Sequence, residues 1–103
     1  MRHAAIGRLR PDRIDDYLAL HRAVPTEVQA LLRAAGVRDY AIFHRDGWLF
    51  ASYRFVGADH DAAMARMVAE PAMRAWWACC VPCFDCADPA QPWLPMDPTY
   101  HQE

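Results

Sequence analysis

The sequence predicts a single α+β domain over residues 1–103, in the ferredoxin-like order β-α-β-β-α-β. Three observations predict it. Stretches of helical apolar spacing alternate with short runs of strand alternation. The turn signal Arg45-Asp46-Gly47 joins two of those runs into a hairpin. The length, 103 residues, suits one small domain and no more.

Arg2 to Arg10 reads as the first strand, with Ala4 and Ile6 among polar alternates. Pro11 is placed to open a helix, and Asp12, Asp15 and Asp16 load its first turn with favourable negative charge. Ile14, Tyr17, Leu18 and His21 recur at helical spacing. Pro25 breaks this run and starts a second helix, whose stripe is Val28, Leu31, Leu32 and Ala35 and whose stop is Gly36. Val37 to His44 and Trp48 to Phe55 are the hairpin strands. Tyr40, Ile42 and His44 share one face of the first, and Ala41 and Phe43 the other. Gly57 to Asp59 begins another helix, carrying Ala63, Met64, Met67 and Val68. Pro71 restarts helix through Met73, Trp76, Trp77 and Cys80, and Pro82 ends it. Asp85 to Pro98 is proline-rich and reads as an extended surface loop, with Tyr100 and His101 in a closing fourth strand.

Composition removes several function classes. The chain is 54% hydrophobic and 23% charged, a globular balance. Net charge is −2, so there is no basic footprint for nucleic acid. All eleven basic residues are arginine. Without lysine there is no Schiff base and no phosphate-loop lysine. Ser52 is the sole serine and sits in a strand pattern, away from any nucleophile elbow. No apolar run is long enough to span a membrane, and Met1-Arg2-His3 lacks a signal-peptide pattern. The expected location is the cytoplasm, with reduced cysteines. Helices on one face of a four-stranded sheet leave the other face open. That face is largely apolar here, so a homodimer formed face to face is expected.

Two constellations carry chemistry. Tyr17 and His21 are four residues apart on a helix and share one face. Trp76 and Trp77 follow about fifty-five residues later on another helix. Indole walls suit the apolar face of a sugar ring, and imidazole is the side chain suited to proton transfer at neutral pH. Together they describe a small site that holds a polyol and moves protons. Cys79, Cys80, Cys83 and Cys86 compete for attention, because Cys80-x-x-Cys83-x-x-Cys86 has iron–sulfur ligand spacing and zinc would also accept thiolates. The run straddles a helix end, and the preferred reading is buried free thiols with no metal.

The residues then resemble the L-rhamnose mutarotase family over nearly the whole chain. The resemblance rests on Tyr17-x-x-x-His21, Glu27, Gly36 followed by Asp39-Tyr40-Ala41-Ile42, the aromatic hairpin strands and Trp76-Trp77. Met96 to His101 looks like the family's closing strand. The resemblance implies a dimeric α/β barrel that interconverts the anomers of a 6-deoxy-L-hexose without a cofactor. It implies His21 as general acid, with Tyr17, Tyr40, Trp76 and Trp77 contacting the sugar. The chain departs from the family at Arg22-Ala23-Val24-Pro25-Thr26, beside the histidine, and in its cysteine-rich tail.

Anomer exchange opens the C1–O5 bond, lets the aldehyde rotate and closes the ring on its other face. One imidazole, titrating near pH 6.5 in water, can act as acid and then base. L-Rhamnose is the default substrate and L-fucose the close alternative. The rival reading is another dimeric-barrel activity: a monooxygenase, a haem-handling protein or a ligand-binding module. His44 and Arg54 are candidates to join the site from the hairpin.

Overall fold

The computed structural model describes residues 1–103. Its elements are β1 (Arg2–Arg8), α1 (Ile14–Leu20), α2 (Thr26–Ala34), β2 (Val37–Arg45), β3 (Trp48–Phe55), α3 (His60–Val68), α4 (Pro71–Cys80) and β4 (Leu94–Met96). The strands form one antiparallel sheet in the order β2-β3-β1-β4. That is the α+β, ferredoxin-like arrangement expected from the sequence, with its first helical segment split in two.

Local chemistry explains the boundaries. Leu9 leaves the first strand two residues earlier than expected and bridges to Phe84. Pro11 opens a short 3-10 turn, Pro11–Arg13, and the α-helix proper begins at Ile14. Gly36 follows α2 with φ +97°, and a Cβ there would meet the Val56 carbonyl oxygen at 2.3 Å. Glycine is therefore required twice over, for the left-handed backbone and for the close approach. Asp46 and Gly47 both take positive φ, as a two-residue turn between right-twisting strands demands. Asp59 caps α3 by accepting the Ala62 N–H at 3.1 Å.

The C-terminal segment corrects the sequence reading. The fourth strand is Leu94–Met96, and Tyr100 and His101 lie beyond it in no regular element. Pro98 has no N–H to extend the ladder. The stretch expected to be surface loop is partly interior, since Pro92 is buried and Trp93 packs edge-on against Phe84 at 5.4 Å.

Two apolar clusters lie between sheet and helices. One contains Leu9, Tyr17, Leu49, Cys80, Cys83 and Phe84. The other contains Val28, Met67 and Met73. Trp76 packs against both. The opposite face of the sheet carries no helix. It presents Phe43, Trp48, Phe50, Leu94 and Met96, all exposed, with the Arg8 guanidinium 4.3 Å over the Trp48 ring.

Candidate active site

Tyr17, His21, Tyr40, Trp76 and Trp77 line one cavity of about 90 Å³. Helix α1 supplies Tyr17 and, at its C-terminal end, His21. One helical turn between them lays their rings together, with centroids 4.2 Å apart. Trp76 meets the other side of the imidazole edge-on, at 5.1 Å. Consecutive residues on a helix point about 100° apart, yet both tryptophans border the cavity. Trp76 packs against both apolar clusters and Trp77 against the one built from Val28, Met67 and Met73.

Tyr40 reaches the cavity by strand alternation, which sets it on the same face as Ile42, two residues on, as the sequence predicts. It follows an irregularity. The β2–β3 register shifts between Arg38 and Ala41. Asp39 takes φ +55°, an unusual backbone for a side chain larger than glycine.

His21 Nδ1 lies 3.0 Å from the Tyr17 carbonyl oxygen. A carbonyl can only accept, so Nδ1 carries a hydrogen and donates it. Nε2 is then the position left for exchange with a ligand. The two tyrosines behave differently. Burial pushes the Tyr17 phenol far above its ordinary range, with smaller contributions from Tyr40 and Cys80. Tyr40 is partly exposed, but the protein around it raises its phenol to about 12, with Tyr53 the next cause. Both remain protonated near neutrality, so they can donate hydrogen bonds to sugar oxygens but cannot serve as resting bases. No carboxylate, lysine or arginine lines the cavity.

Phe84, Pro92 and Trp93 line the cavity without having been singled out from the sequence. The available signal was one large aromatic, Trp93, in the stretch read as surface, with Phe84 just before it. Cys80, considered in the sequence as a metal ligand, forms part of the wall instead. A wider groove of about 760 Å³ adjoins the cavity along α2 and shares His21, Tyr40, Ile42 and Trp76 with it.

Other candidates fall elsewhere. His44 Nε2 accepts the Gly47 N–H at 2.9 Å and so stabilises the hairpin turn. Arg54 is exposed on the helix-free face, paired in register with Arg2. Cys80 and Cys83 are buried, Cys86 is half-buried and Cys79 is exposed. No group of three or more His, Cys, Asp or Glu side chains is placed to hold a metal ion. Burial raises the Cys80 thiol to about 12 and shifts Cys83 upward too.

The family profile described as L-rhamnose mutarotase matches residues 2–102. The chain belongs to the L-rhamnose mutarotase family. An L-rhamnose mutarotase of Sinorhizobium medicae is 38% identical over 71 residues, covering 69% of this chain and 67% of that one. One from Burkholderia orbicola is 42% identical over 73 residues, with the same coverage. The crystal structure of an L-rhamnose mutarotase from Formosa agariphila superposes with a TM-score of 0.80, covering 100% of this chain and 99% of that chain, at 22% identity. An antibiotic biosynthesis monooxygenase superposes with a TM-score of 0.62, covering 96% and 98%, at 16% identity. At such identities the superpositions speak to fold, which mutarotases and monooxygenases share. The L-rhamnose mutarotase profile and the sequence relatives are what separate the two. No helix of this family member is long and apolar enough to cross a membrane.

Proposed function

We propose that this chain interconverts the α and β anomers of L-rhamnose, with His21 transferring the proton at the ring oxygen. One observation carries the reading. His21 is oriented by its Nδ1–H bond to the Tyr17 carbonyl and borders a cavity walled by aromatic rings and free of charged side chains.

The chemistry follows from that geometry. Nε2–H of the imidazolium gives its proton to O5 as the C1–O5 bond breaks. Water, arriving through the adjoining groove, takes the proton of the C1 hydroxyl. The aldehyde at C1 rotates. The O5 hydroxyl then attacks the other face of C1 and returns its proton to Nε2, while the hydronium formed in the first step reprotonates the C1 oxygen. Atoms and charge balance over the cycle. Tyr17 and Tyr40 donate hydrogen bonds to the sugar hydroxyls. Trp76 and Trp77 hold and orient the ring. Phe84 and Ile42 offer an apolar wall to the methyl group that replaces a hydroxymethyl in a 6-deoxy sugar.

The same reading includes a homodimer. The exposed aromatic and aliphatic residues of the helix-free face support it, because a contiguous apolar patch favours burial against a second copy. It also places the enzyme in the cytoplasm, where four free thiols suit a reducing compartment.

NMR saturation transfer between the anomers, with L-rhamnose and L-fucose side by side, tests the reading. Faster exchange of L-rhamnose is expected, lost by about 10²–10⁴-fold in His21→Ala. Unchanged exchange in a folded His21→Ala protein would remove His21 from the mechanism. Enhancement of L-fucose alone would reassign the sugar.

A further inference from the structure

Outside the cavity, an aromatic and imidazole cluster lies on the same helix-covered face. It joins β1, β3 and the start of α3. The Tyr53 hydroxyl is 2.6 Å from His60 Nε2. His60 Nδ1 is 3.1 Å from Asp61 Oδ1. The carboxylate accepts, so Nδ1 carries the hydrogen and Nε2 accepts from Tyr53. The chain Tyr53 O–H to His60 to Asp61 therefore has one direction. His3 stacks flat on His60, with centroids 3.9 Å apart, and Phe55 meets the His60 ring edge-on at 5.1 Å.

This cluster touches the site at one point. The Tyr53 ring lies edge-on to Tyr40, centroids 5.7 Å apart. Tyr40 lies where the β2–β3 ladder is interrupted, between Arg38 and Ala41. Its neighbour Asp39 is held only by an exposed ion pair with Arg2 at 3.3 Å, a weak restraint. The orientation of the Tyr40 ring must come from its side-chain neighbours, and Tyr53 is the one whose own hydroxyl is tied down. His3 meanwhile leaves its Nε2 buried without a partner. Phenylalanine would fill that place without this cost. An imidazole stack on His60, rather than apolar filling, is what the arrangement retains.

We infer that Tyr53, held by His60 and Asp61, is a positioning residue that sets the Tyr40 hydroxyl for sugar recognition. This rests on the proposed sugar contact of Tyr40. Tyr53 itself does not line the cavity, so its effect falls on binding rather than on proton transfer.

The test is a double-mutant cycle. Exchange is measured against L-rhamnose concentration for wild type, Tyr53→Phe, Tyr40→Phe and the double variant. Tyr53→Phe keeps the ring and removes its tether. KM is expected to rise about two- to ten-fold, the range one hydrogen bond supports, with kcat essentially unchanged. Added to Tyr40→Phe, the change should raise KM no further, since the hydroxyl being positioned is gone. His60→Leu, remote from the cavity, should reproduce the KM rise. A wild-type KM in folded Tyr53→Phe overturns the inference. An equal penalty in the Tyr40→Phe background does so too, because Tyr53 would then act by another route. Aromatic NMR of Tyr40 reads the same claim without turnover. Tyr53→Phe should shift or broaden the Tyr40 ring signals, and unchanged signals overturn the inference. An inactive wild type whose Tyr40 signals respond would refute the proposed function and leave the positioning intact.

Discussion

Replacing Gly7 with alanine probes how the cavity wall is built. Gly7 pairs with Leu49 on the helix-covered face of the sheet. A Cβ there would lie 2.7 Å from Phe84 Cε2 and 3.3 Å from Trp93 Cε3. Two effects oppose each other. Alanine in a strand interior is favoured over glycine by about 0.5–1 kcal/mol through chain entropy. A carbon contact at 2.7 Å is far inside the optimum of roughly 3.5–4.0 Å, so the ring must move. Phe84 is 5% exposed and lies edge-on to Tyr17 at 5.5 Å and Trp93 at 5.4 Å. It has little room to retreat, and overpacking of this kind costs about 1–3 kcal/mol. With the buried ring unable to retreat, the strain wins, and the difference of the two terms is a net loss of up to about 2.5 kcal/mol. For a chain this size that lowers the melting temperature by up to roughly 20 °C. Because Phe84 and Trp93 both line the cavity, L-rhamnose affinity should fall as well. Thermal unfolding by near-UV circular dichroism and a tryptophan-fluorescence titration with L-rhamnose measure the two effects. A variant at least as stable as wild type, with unchanged affinity, would refute the packing argument.

Trp77→Ala should weaken L-rhamnose binding with a modest loss of stability. Trp76→Ala should do both, at a cost of about 3 kcal/mol, because Trp76 spans the two apolar clusters. Equal melting temperatures for the two variants would contradict that division. Burial, and then the neighbouring His60, hold the His3 imidazole below its ordinary pKa of 6.5. The folded state then resists a proton that the unfolded state accepts, so stability should be lost as pH falls below about 6.5. His3→Phe should flatten this acid limb, and an unaltered limb in scanning calorimetry would assign it to other groups. Phe50→Asp places a charge in the middle of the helix-free face and should convert the proposed dimer to monomer. Sedimentation velocity that shows identical species for both proteins would dismiss that face as the interface.

Much of the fold was legible because local signals agreed with one another. Gly36 stops α2 and Asp46-Gly47 turns the hairpin, and each could be read from residue type and spacing. The C-terminal segment was not legible. A proline-rich stretch satisfies the criteria for surface loop, and nothing local reveals that Trp93 is drawn inward by Phe84. That packing depends on Gly7, some eighty-five residues earlier. Within the site, i, i+4 spacing paired Tyr17 with His21, and the tandem tryptophans were visible as a unit. Tyr40 was marked by resemblance alone. Strand alternation set it beside Ile42, but the bulge that precedes it, at Asp39, has no glycine to announce its positive φ. The Tyr53–His60–Asp61 chain was equally silent, since three ordinary residues become a connected unit only when β3 meets α3.

The cavity separates two kinds of group by environment. Raised phenols at Tyr17 and Tyr40, and a raised thiol at Cys80, fix these side chains as neutral through the physiological range. They can hold hydroxyl groups in place at no cost in charge. The imidazole of His21 is the one lining side chain of a type that exchanges protons near neutrality. Its Nδ1–H is committed to the Tyr17 carbonyl, which leaves Nε2 alone for the proposed transfer. The proposed ring-opening, with a single proton delivered and returned, asks for that division: neutral groups to bind, and an imidazole that does not turn over onto its other nitrogen.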